Sequence, residues 1–478
     1  MRSGFVAAVG VAVLLAGCGG GDGGGSGGAG TVASSPAATP TAAAGCTLAA
    51  RQEWAAAQLR EWYLFPDTLP ATSSPAGYDS VNAYIDALTA TARSQRKDRY
   101  FTYVTSIAEE NAFYNSGASA GFGIRLSYDT ANARVFVAEA FEGAPALAAG
   151  IDRGTEILAI GTAGGATRTV ADLLAAGGSA AVTEALGPST AGTARVLKIA
   201  DAAGTREVTV AKADYALAPV SDRYGVQVLT DGGRQIGYLN LRTFISTADP
   251  ALRAAFARFR AAGITEMIVD LRYNGGGLVN TAELIGDLMG ANRSSGEVFS
   301  YTSFRASKAS SNTTRFFAAQ PQSIAPTRVA FIGTGGTASA SELLVNAFIP
   351  YLHTADGLIG TNTYGKPVGQ IARDNAACDD RLRVIAFATQ NAARQGDYYD
   401  GLATRIEASC RAADDTAYPL GDPREASTKA ALDFLAGRTC TPISTDATAR
   451  SVGGAGGRRE LLSPAAPTVA QREVPGLF

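Results

Sequence analysis

From Gln235 to Leu352, short apolar runs that end in glycine or polar residues alternate with stretches whose apolar residues recur at helical spacing. This alternation limits the fold more than any other feature. Strands that each return through a helix become parallel neighbours, so the segment reads as a mainly parallel α/β sheet with its working loops at strand ends. Strands are expected at 236–244, 264–271, 327–333 and 357–359, and helices at 251–262, 280–289 and 341–352.

The rest of the chain has a different texture. Short strands follow one another at 121–126, 134–138, 156–160, 195–199 and 207–210, the last two as a hairpin, with one short helix ended by Gly150. Upstream, 47–114 reads as helices joined by loops: Leu48, Trp54, Leu59 and Trp62 share one face, and a second helix opens at Ser80. Beyond Cys440 periodicity fades, and 446–478 is expected to be a loose tail. The blocks are a helical region 46–117, a strand module 118–214, an α/β core 215–440 and the tail 441–478. With 41 basic against 43 acidic side chains the formal charge is −2, which gives no electrostatic case for nucleic acid.

Residues 1–18 place Arg2 before an apolar run, 5–15, followed by Ala16-Gly17-Cys18. About a dozen apolar residues are too few to span a bilayer, which needs about 20, but they suit the core of a secretion signal. LAGC resembles the lipobox of bacterial lipoproteins, which implies lipidation at Cys18; an ordinary cleaved signal is the alternative. Residues 19–45 are almost all Gly, Ser, Ala, Thr and Pro, a flexible tether with a span of roughly 30 Å. The expected location is the bacterial cell envelope, lipid-anchored, and Gly19 after Cys18 resembles sorting to the outer membrane facing the periplasm.

Four further cysteines, Cys46, Cys378, Cys410 and Cys440, form an even set in an exported chain, so disulfides are expected. Three pairings are possible. The favoured one joins Cys378 to Cys410 within one segment and Cys46 to Cys440 across the folded body. No CxxC or His/Cys cluster offers a metal ligand set, and neither metal nor cofactor is expected.

Three core loops carry the residue types that do chemistry. In VDLRYNGGGL (269–278) a buried strand runs into three glycines and then a helix, which frees backbone N–H groups to face an anion. No Lys-Ser/Thr follows and no GxGxxG spacing is present, so an oxyanion hole fits better than a nucleotide loop. In GTGGTASASELL (333–344) Ser339 stands at the mouth of a helix, where the dipole and the next N–H favour a developing anion. Ser341 is the competing nucleophile, and a helix N-cap role is open to either serine. The one histidine, His353, would lie roughly 18 Å along the same helix, so a Ser-His pair is not expected. In GTNTYGKPVGQ (360–370) Lys366 sits between Gly and Pro at a strand end. Desolvated, it would be neutral near pH 7–8, a shift of about three units costing roughly 4 kcal/mol. A neutral amine serves as a general base; a solvated loop lysine is the plain alternative.

Taken in order, DLRYNGGG, TASASE and TYGKPVGQ resemble the motifs of the tail-specific, or C-terminal processing, serine peptidases, over roughly residues 48–435. The resemblance implies an α/β fold with a Clp protease/crotonase-like core, a PDZ-like β domain and an N-terminal helical region. It implies that Ser339 is the nucleophile, Lys366 the general base and Gln370 the residue that orients it, with N–H groups of Gly277 and Ala340 as the oxyanion hole. The block 118–214 resembles a PDZ domain, whose Gly-Φ-Gly-Φ loop, here Gly121-Phe122-Gly123-Ile124, receives a peptide end as an added strand. Gly154-Thr155 stands where that family commonly has Gly-Asp, Pro367 replaces a frequent glycine, and Ala403 departs from the usual GLxP. The implied partners are proteins or peptides with accessible C-terminal tails. Two rivals remain at this point: a tethered peptide-binding lipoprotein without hydrolysis, and a crotonase-type enzyme acting on acyl-CoA.

Overall fold

The strand and helix alternation builds a six-stranded sheet in the order Val226–Asp231, Arg234–Asn240, Glu266–Asp270, Arg328–Gly333, Asp356–Gly360, Ala408–Arg411. The first pair is antiparallel and every later pair is parallel. The computed structural model describes residues 45–129, 131–444 and 459–478. The expected signal segment, Cys18 and the tether up to residue 44 lie outside them. Among the described residues no helix is long and apolar enough to cross a membrane.

A parallel sheet has to be covered on both faces. Helices Ala248–Ala261, Val279–Leu288 and Ala340–Leu352 cover one, burying Phe256, Phe259, Ile285, Leu344 and Phe348. Helix Ala426–Leu435 covers the other with Ala431, Phe434 and Leu435 against Ile268, Ile332 and Ile359. Register then decides where the chemistry sits. Asp270 lies opposite Ile332 and Gly333 opposite Gly360, so loops 271–278, 334–339 and 361–367 leave from one sheet edge.

A second sheet runs Tyr103–Ser106, Asp380–Gln390, Val298–Phe304, Thr313–Phe316, with Val368–Asn375 also paired to Asp380–Gln390. Helices Leu48–Trp62 and Val81–Leu88, capped by Thr47 and Ser80, press Leu59, Tyr84, Ile85 and Leu88 onto Val368, Leu382, Val384 and Ile385. The helical region therefore backs the strand that follows the lysine loop. It also contributes the strand Tyr103–Ser106 where a loop was expected.

The strand module contains Ile124–Asp129, Arg134–Ala140, Glu156–Thr162, Ala194–Asp201 and Gly204–Ala211, paired in sequence order and antiparallel. A helix absent from the sequence reading, Val170–Leu186, packs Val170, Leu173, Val182 and Leu186 into its core. Gly177 and Gly178 break its backbone in the middle. Each glycine disfavours helix by about 1 kcal/mol, which hid the pattern.

Two expectations are corrected. The tail is not loose over 459–478: Arg459–Leu461 adds antiparallel to Ile124–Asp129, and Val469–Glu473 forms a short helix capped by Thr468. Leu462 and Phe478 join the module core, while Val469, Ala470, Val474 and Leu477 are buried with Phe113, Phe141, Tyr215 and Ile245. Burial of about 1.5–3 kcal/mol per large apolar side chain orders a segment that has no periodicity of its own.

The disulfides join Cys46 to Cys378 and Cys410 to Cys440, each with Cα atoms 5.5 Å apart, in place of the favoured pairing. Cys378 lies at the turn before Asp380–Gln390, where Arg51 of the first helix bonds Asp380 at 2.6 Å, so Cys46 is beside it. Cys410 is on the last core strand, and Arg411 N–H donates to Thr441 O at 2.7 Å, which brings Cys440 alongside. Non-reducing peptide mapping is expected to recover these two cross-links, and a Cys378–Cys410 peptide would refute them. Replacing Cys410 and Cys440 together by Ala opens a link across 30 residues. It should lower unfolding stability by roughly 3–4 kcal/mol, read from the denaturant midpoint.

Candidate active site

The glycine loop is fixed from behind. Arg272 is fully buried, its Nε bonding Asp270 at 2.9 and 3.0 Å and its two terminal nitrogens bonding Glu425 at 2.8 and 2.9 Å. Tyr238 donates to Asp270 at 2.8 Å, and Glu425 accepts the N–H groups of Ser427 and Thr428 at a helix start. Burial pushes both carboxyls up; on Glu425 the Arg272 charge overrides it and holds the group at about 2, whereas Asp270 stays above its ordinary range.

Asn274 then ties the glycine loop to the serine turn. Its Nδ2 donates to Leu241 O at 2.8 Å, its Oδ1 accepts from Gly276 N at 2.9 Å, and its carbonyl accepts from Ala338 N at 3.0 Å. Gly276 and Gly277 have φ of 113° and 128°. A Cβ on Gly277 would meet Phe244 O at 2.2 Å, and one on Gly276 would meet Ser339 Cβ at 2.7 Å and Ala340 N at 3.1 Å. Glycine is required there for conformation and for close approach alike. The Gly276 carbonyl accepts from Phe244 N, so the trans peptide turns Gly277 N–H the other way. Among the described residues that N–H meets no hydrogen-bond acceptor.

Ser339 itself has φ 57° and ψ −115°, a backbone state costing a non-glycine residue on the order of 1–3 kcal/mol. It is half-buried between buried Ala338 and Ala340. Ala340 opens helix Ala340–Leu352, so its N–H has no carbonyl a turn behind it. Ser341 is fully buried, and its hydroxyl donates to Asn274 O at 3.1 Å, which commits it to packing. His353 stands at the far end of the helix, 65% exposed and bonded to Glu407 at 2.9 Å.

The residue that unites the site is one the sequence reading did not single out. Glu342 is fully buried, and its carboxylate accepts from Ser339 N at 3.1 Å, Lys366 N at 2.7 Å, Gly365 N at 2.7 Å and Thr363 Oγ1 at 2.6 Å. Ser339 N and Lys366 N bond the same oxygen, so they are no farther apart than those two bonds laid end to end. A serine followed three residues on by glutamate at a helix start is the spacing that could have revealed it.

Lys366 Nζ donates to Gln370 Oε1 at 2.9 Å and lies 4.7 Å from the centre of the Phe101 ring. Gln370 Nε2 in turn donates to Phe101 O, and a register shift between Gly369 and Gln370 aims that side chain. Burial lowers the Lys366 pKa; the carboxylates of Glu473, Asp98 and Glu342 oppose the shift, and Arg383 adds to it.

In the strand module, Gly123 has φ 73°, and a Cβ on it would meet Ala144 Cβ at 2.0 Å. Phe122 and Ile124 are buried in the module core, and Gly121 pairs with Ala213. The N–H groups of Gly123 and Ile124 point to a strand added along the edge. Both donate to Phe478 O, at 2.9 and 3.2 Å. The structure thus brings together Ser339, Ala340, Gly277, Lys366 and Gln370 at one sheet edge, with the loop 121–124 on a separate strand edge that residues 476–478 occupy.

Residues 235–394 match the family model of peptidase family S41. A chloroplastic C-terminal processing peptidase of Tetradesmus obliquus is 29% identical over 275 residues, 54% of this chain and 54% of that protein. The chain thus spans about half the length of this curated relative. A solved structure from Bacteroides fragilis NCTC 9343, assigned to the S41 proteases, is similar with a TM-score of 0.61 at 21% identity, over 80% of this chain and 97% of that one. At that identity it speaks for the fold. Glycine loop, serine turn and lysine loop all lie inside residues 235–394, the segment that matches peptidase family S41.

Proposed function

We propose that the protein is a serine endopeptidase that cuts protein substrates near their C-terminal tails. Ser339 Oγ attacks the carbonyl carbon while neutral Lys366 takes the hydroxyl proton, and the N–H groups of Gly277 and Ala340 bond the oxyanion. When the C–N bond breaks, that proton passes to the leaving amine and the acyl group stays on Ser339 as an ester. Water, deprotonated by the same amine, then attacks the ester; the acid leaves and the serine recovers its proton. Gln370 orients the amine throughout.

The observation that carries this reading is the Glu342 carboxylate, which fixes the serine turn and the lysine loop to one another while the lysine amine is desolvated and bonded to Gln370. An acyl-CoA enzyme would have no use for that arrangement. The relative's name, a C-terminal processing peptidase, supports the preference for tails. The PDZ-like reading of 118–214 is supported by the antiparallel addition of a strand at 124–126, where a substrate tail would lie. LAGC supports a lipid anchor at Cys18, holding the enzyme in the envelope, on the outer membrane facing the periplasm.

Ser339→Ala and Lys366→Ala are each expected to lower cleavage of an unfolded protein such as casein by at least about 10³-fold; undiminished cleavage by either pure variant rejects the assignment. Glu342→Gln presents an NH₂ to N–H donors and loses charge-assisted bonds worth about 1.5–3 kcal/mol each, so kcat should fall roughly 10- to 100-fold with KM little changed. A KM effect alone would assign Glu342 to substrate binding instead. The rate should rise with pH as the ammonium loses its proton. Because burial lowers the Lys366 pKa, the rising limb should have its midpoint below the ordinary lysine value of about 10.4. A midpoint at or above that value contradicts the desolvated base.

A further inference from the structure

The peptide edge is already filled, and by the chain itself. Residues 476–478 run antiparallel to Ile124–Asp129, with Arg125 opposite Leu477. Leu126 N donates to Gly476 O at 2.8 Å, Phe478 N donates to Ile124 O at 2.9 Å, and Gly123 and Ile124 N close on Phe478 O. A Cβ on Gly121 would meet the Phe478 backbone at 2.9 Å, so glycine makes room for that residue. Phe478 is buried in the module core and Leu477 against Phe141 and Tyr215.

The same segment crosses the glycine loop. Gly275 N donates to Glu473 O at 3.3 Å, and a Cβ on Gly275 would lie 2.9 Å from Glu473 O, 3.0 Å from Pro475 Cδ and 3.1 Å from Arg472 O. The next glycine touches Ser339. Buried Arg125 clasps both chains, its Nη1 donating to Tyr273 O at 2.8 Å and Pro475 O at 2.7 Å. Upstream anchors are Glu109, which accepts Val469 N at 3.1 Å, and Gln471, which donates to Leu477 O at 2.9 Å.

We infer that residues 469–478 are a pseudo-substrate strap in cis, lying where a substrate would lie and displaced before turnover. Its catalytic consequence rests on the peptidase reading above; its binding does not. The strap blocks without presenting a cleavable bond. Its first half is helix rather than extended chain, and the Glu473 carbonyl is held by Gly275 N, not by the Gly277 and Ala340 N–H pair. The Glu473 carboxylate also faces Lys366 and favours the protonated amine, the wrong state for a base. The strap names the ligand class as well: a peptide with two adjacent apolar residues in the places of Leu477 and Phe478, preceded by a Pro-Gly bend that carries the chain back to the glycine loop.

The test uses the full chain, a Leu477→Asp/Phe478→Asp variant of it, and a fluorescein-labelled synthetic decapeptide with the sequence of residues 469–478. By anisotropy the variant should bind the decapeptide at least 10-fold more tightly than the unaltered chain, and it should cleave casein at least 10-fold faster. Equal affinity together with equal turnover overturns the strap. Hydrogen exchange on the unaltered chain needs no variant to fold: the amides of Gly123, Ile124 and Leu126 should be protected, and fast exchange at all three also overturns it. Ser339→Ala in the strap-loosened background separates the two readings. Tighter decapeptide binding with cleavage that survives Ser339→Ala leaves the strap standing and removes the peptidase assignment. Unchanged binding and turnover, with cleavage silenced by Ser339→Ala, does the reverse.

Discussion

One buried carboxylate holds the candidate site together. Glu342 takes four hydrogen bonds, from Ser339, Thr363, Gly365 and Lys366, three of them from backbone N–H groups and one from a hydroxyl, none from a charged side chain. Such a group is costly to bury, and burial does push its pKa upward while the four donors pull it back. The return is geometric. Ser339 is held at a φ that serine avoids, and Gly365, at φ 91°, sits where a Cβ would lie 2.4 Å from Tyr399 O. Neither turn would keep that shape alone, and one carboxylate shared between them sets their spacing.

A second buried network fixes the strand module to the core. Arg125 and Arg242 both bond Glu139, at 3.2 and 2.6 Å, and Arg242 reaches Glu142 at 2.7 Å. Burial would raise the Glu139 pKa, but the two guanidinium groups hold it at about 2. Arg153 of the module adds bonds to Tyr273 Oη of the glycine loop at 3.2 Å and to Tyr418 O at 3.0 Å. Breaking such pairs one partner at a time typically costs 3–5 kcal/mol, so the module does not swing freely. The strand edge at 124–126 and the serine turn are thereby held at a set separation, which the segment 473–478 spans. The residue in the place of Phe478 and the one over the glycine loop are five positions apart, about 17 Å of extended chain at most.

The parts of this design that were legible in the sequence are those with local pattern. The core strands and helices follow from period, the candidates Ser339 and Lys366 are picked out by loop chemistry at strand ends, and Gln370 by family resemblance alone; the structure places the three near one sheet edge. Ser341 and His353 could be set aside by their places on a helix, and their burial and exposure agree. What escaped is nonlocal or self-concealing. Glu342 looked like part of a motif because three of its four donors come from residues more than twenty positions away. The disulfides depend on which turns meet in space, and Cys378 meets Cys46 only because the first helix packs on the second sheet. The helix Val170–Leu186 was hidden by two glycines, and the tail by having neither period: its order comes from pockets supplied by Phe113, Phe141, Tyr215 and the module core.

The lysine ties these layers together, because its charge state depends on what lies over it. Burial alone favours the neutral amine, whereas each nearby carboxylate favours the ammonium. With the strap in place Glu473 is buried near Lys366: burial raises the carboxyl and lowers the amine, and the attraction between the two opposes both shifts. An incoming peptide that covers the same ground without a carboxylate keeps the desolvation and removes the counter-charge. On the strap proposal, what occupies the edge at 124–126 would then bear on more than access to Ser339. On the proposed peptidase reading, exchange of the strap for such a peptide would favour the neutral amine, the state in which Lys366 could take a proton.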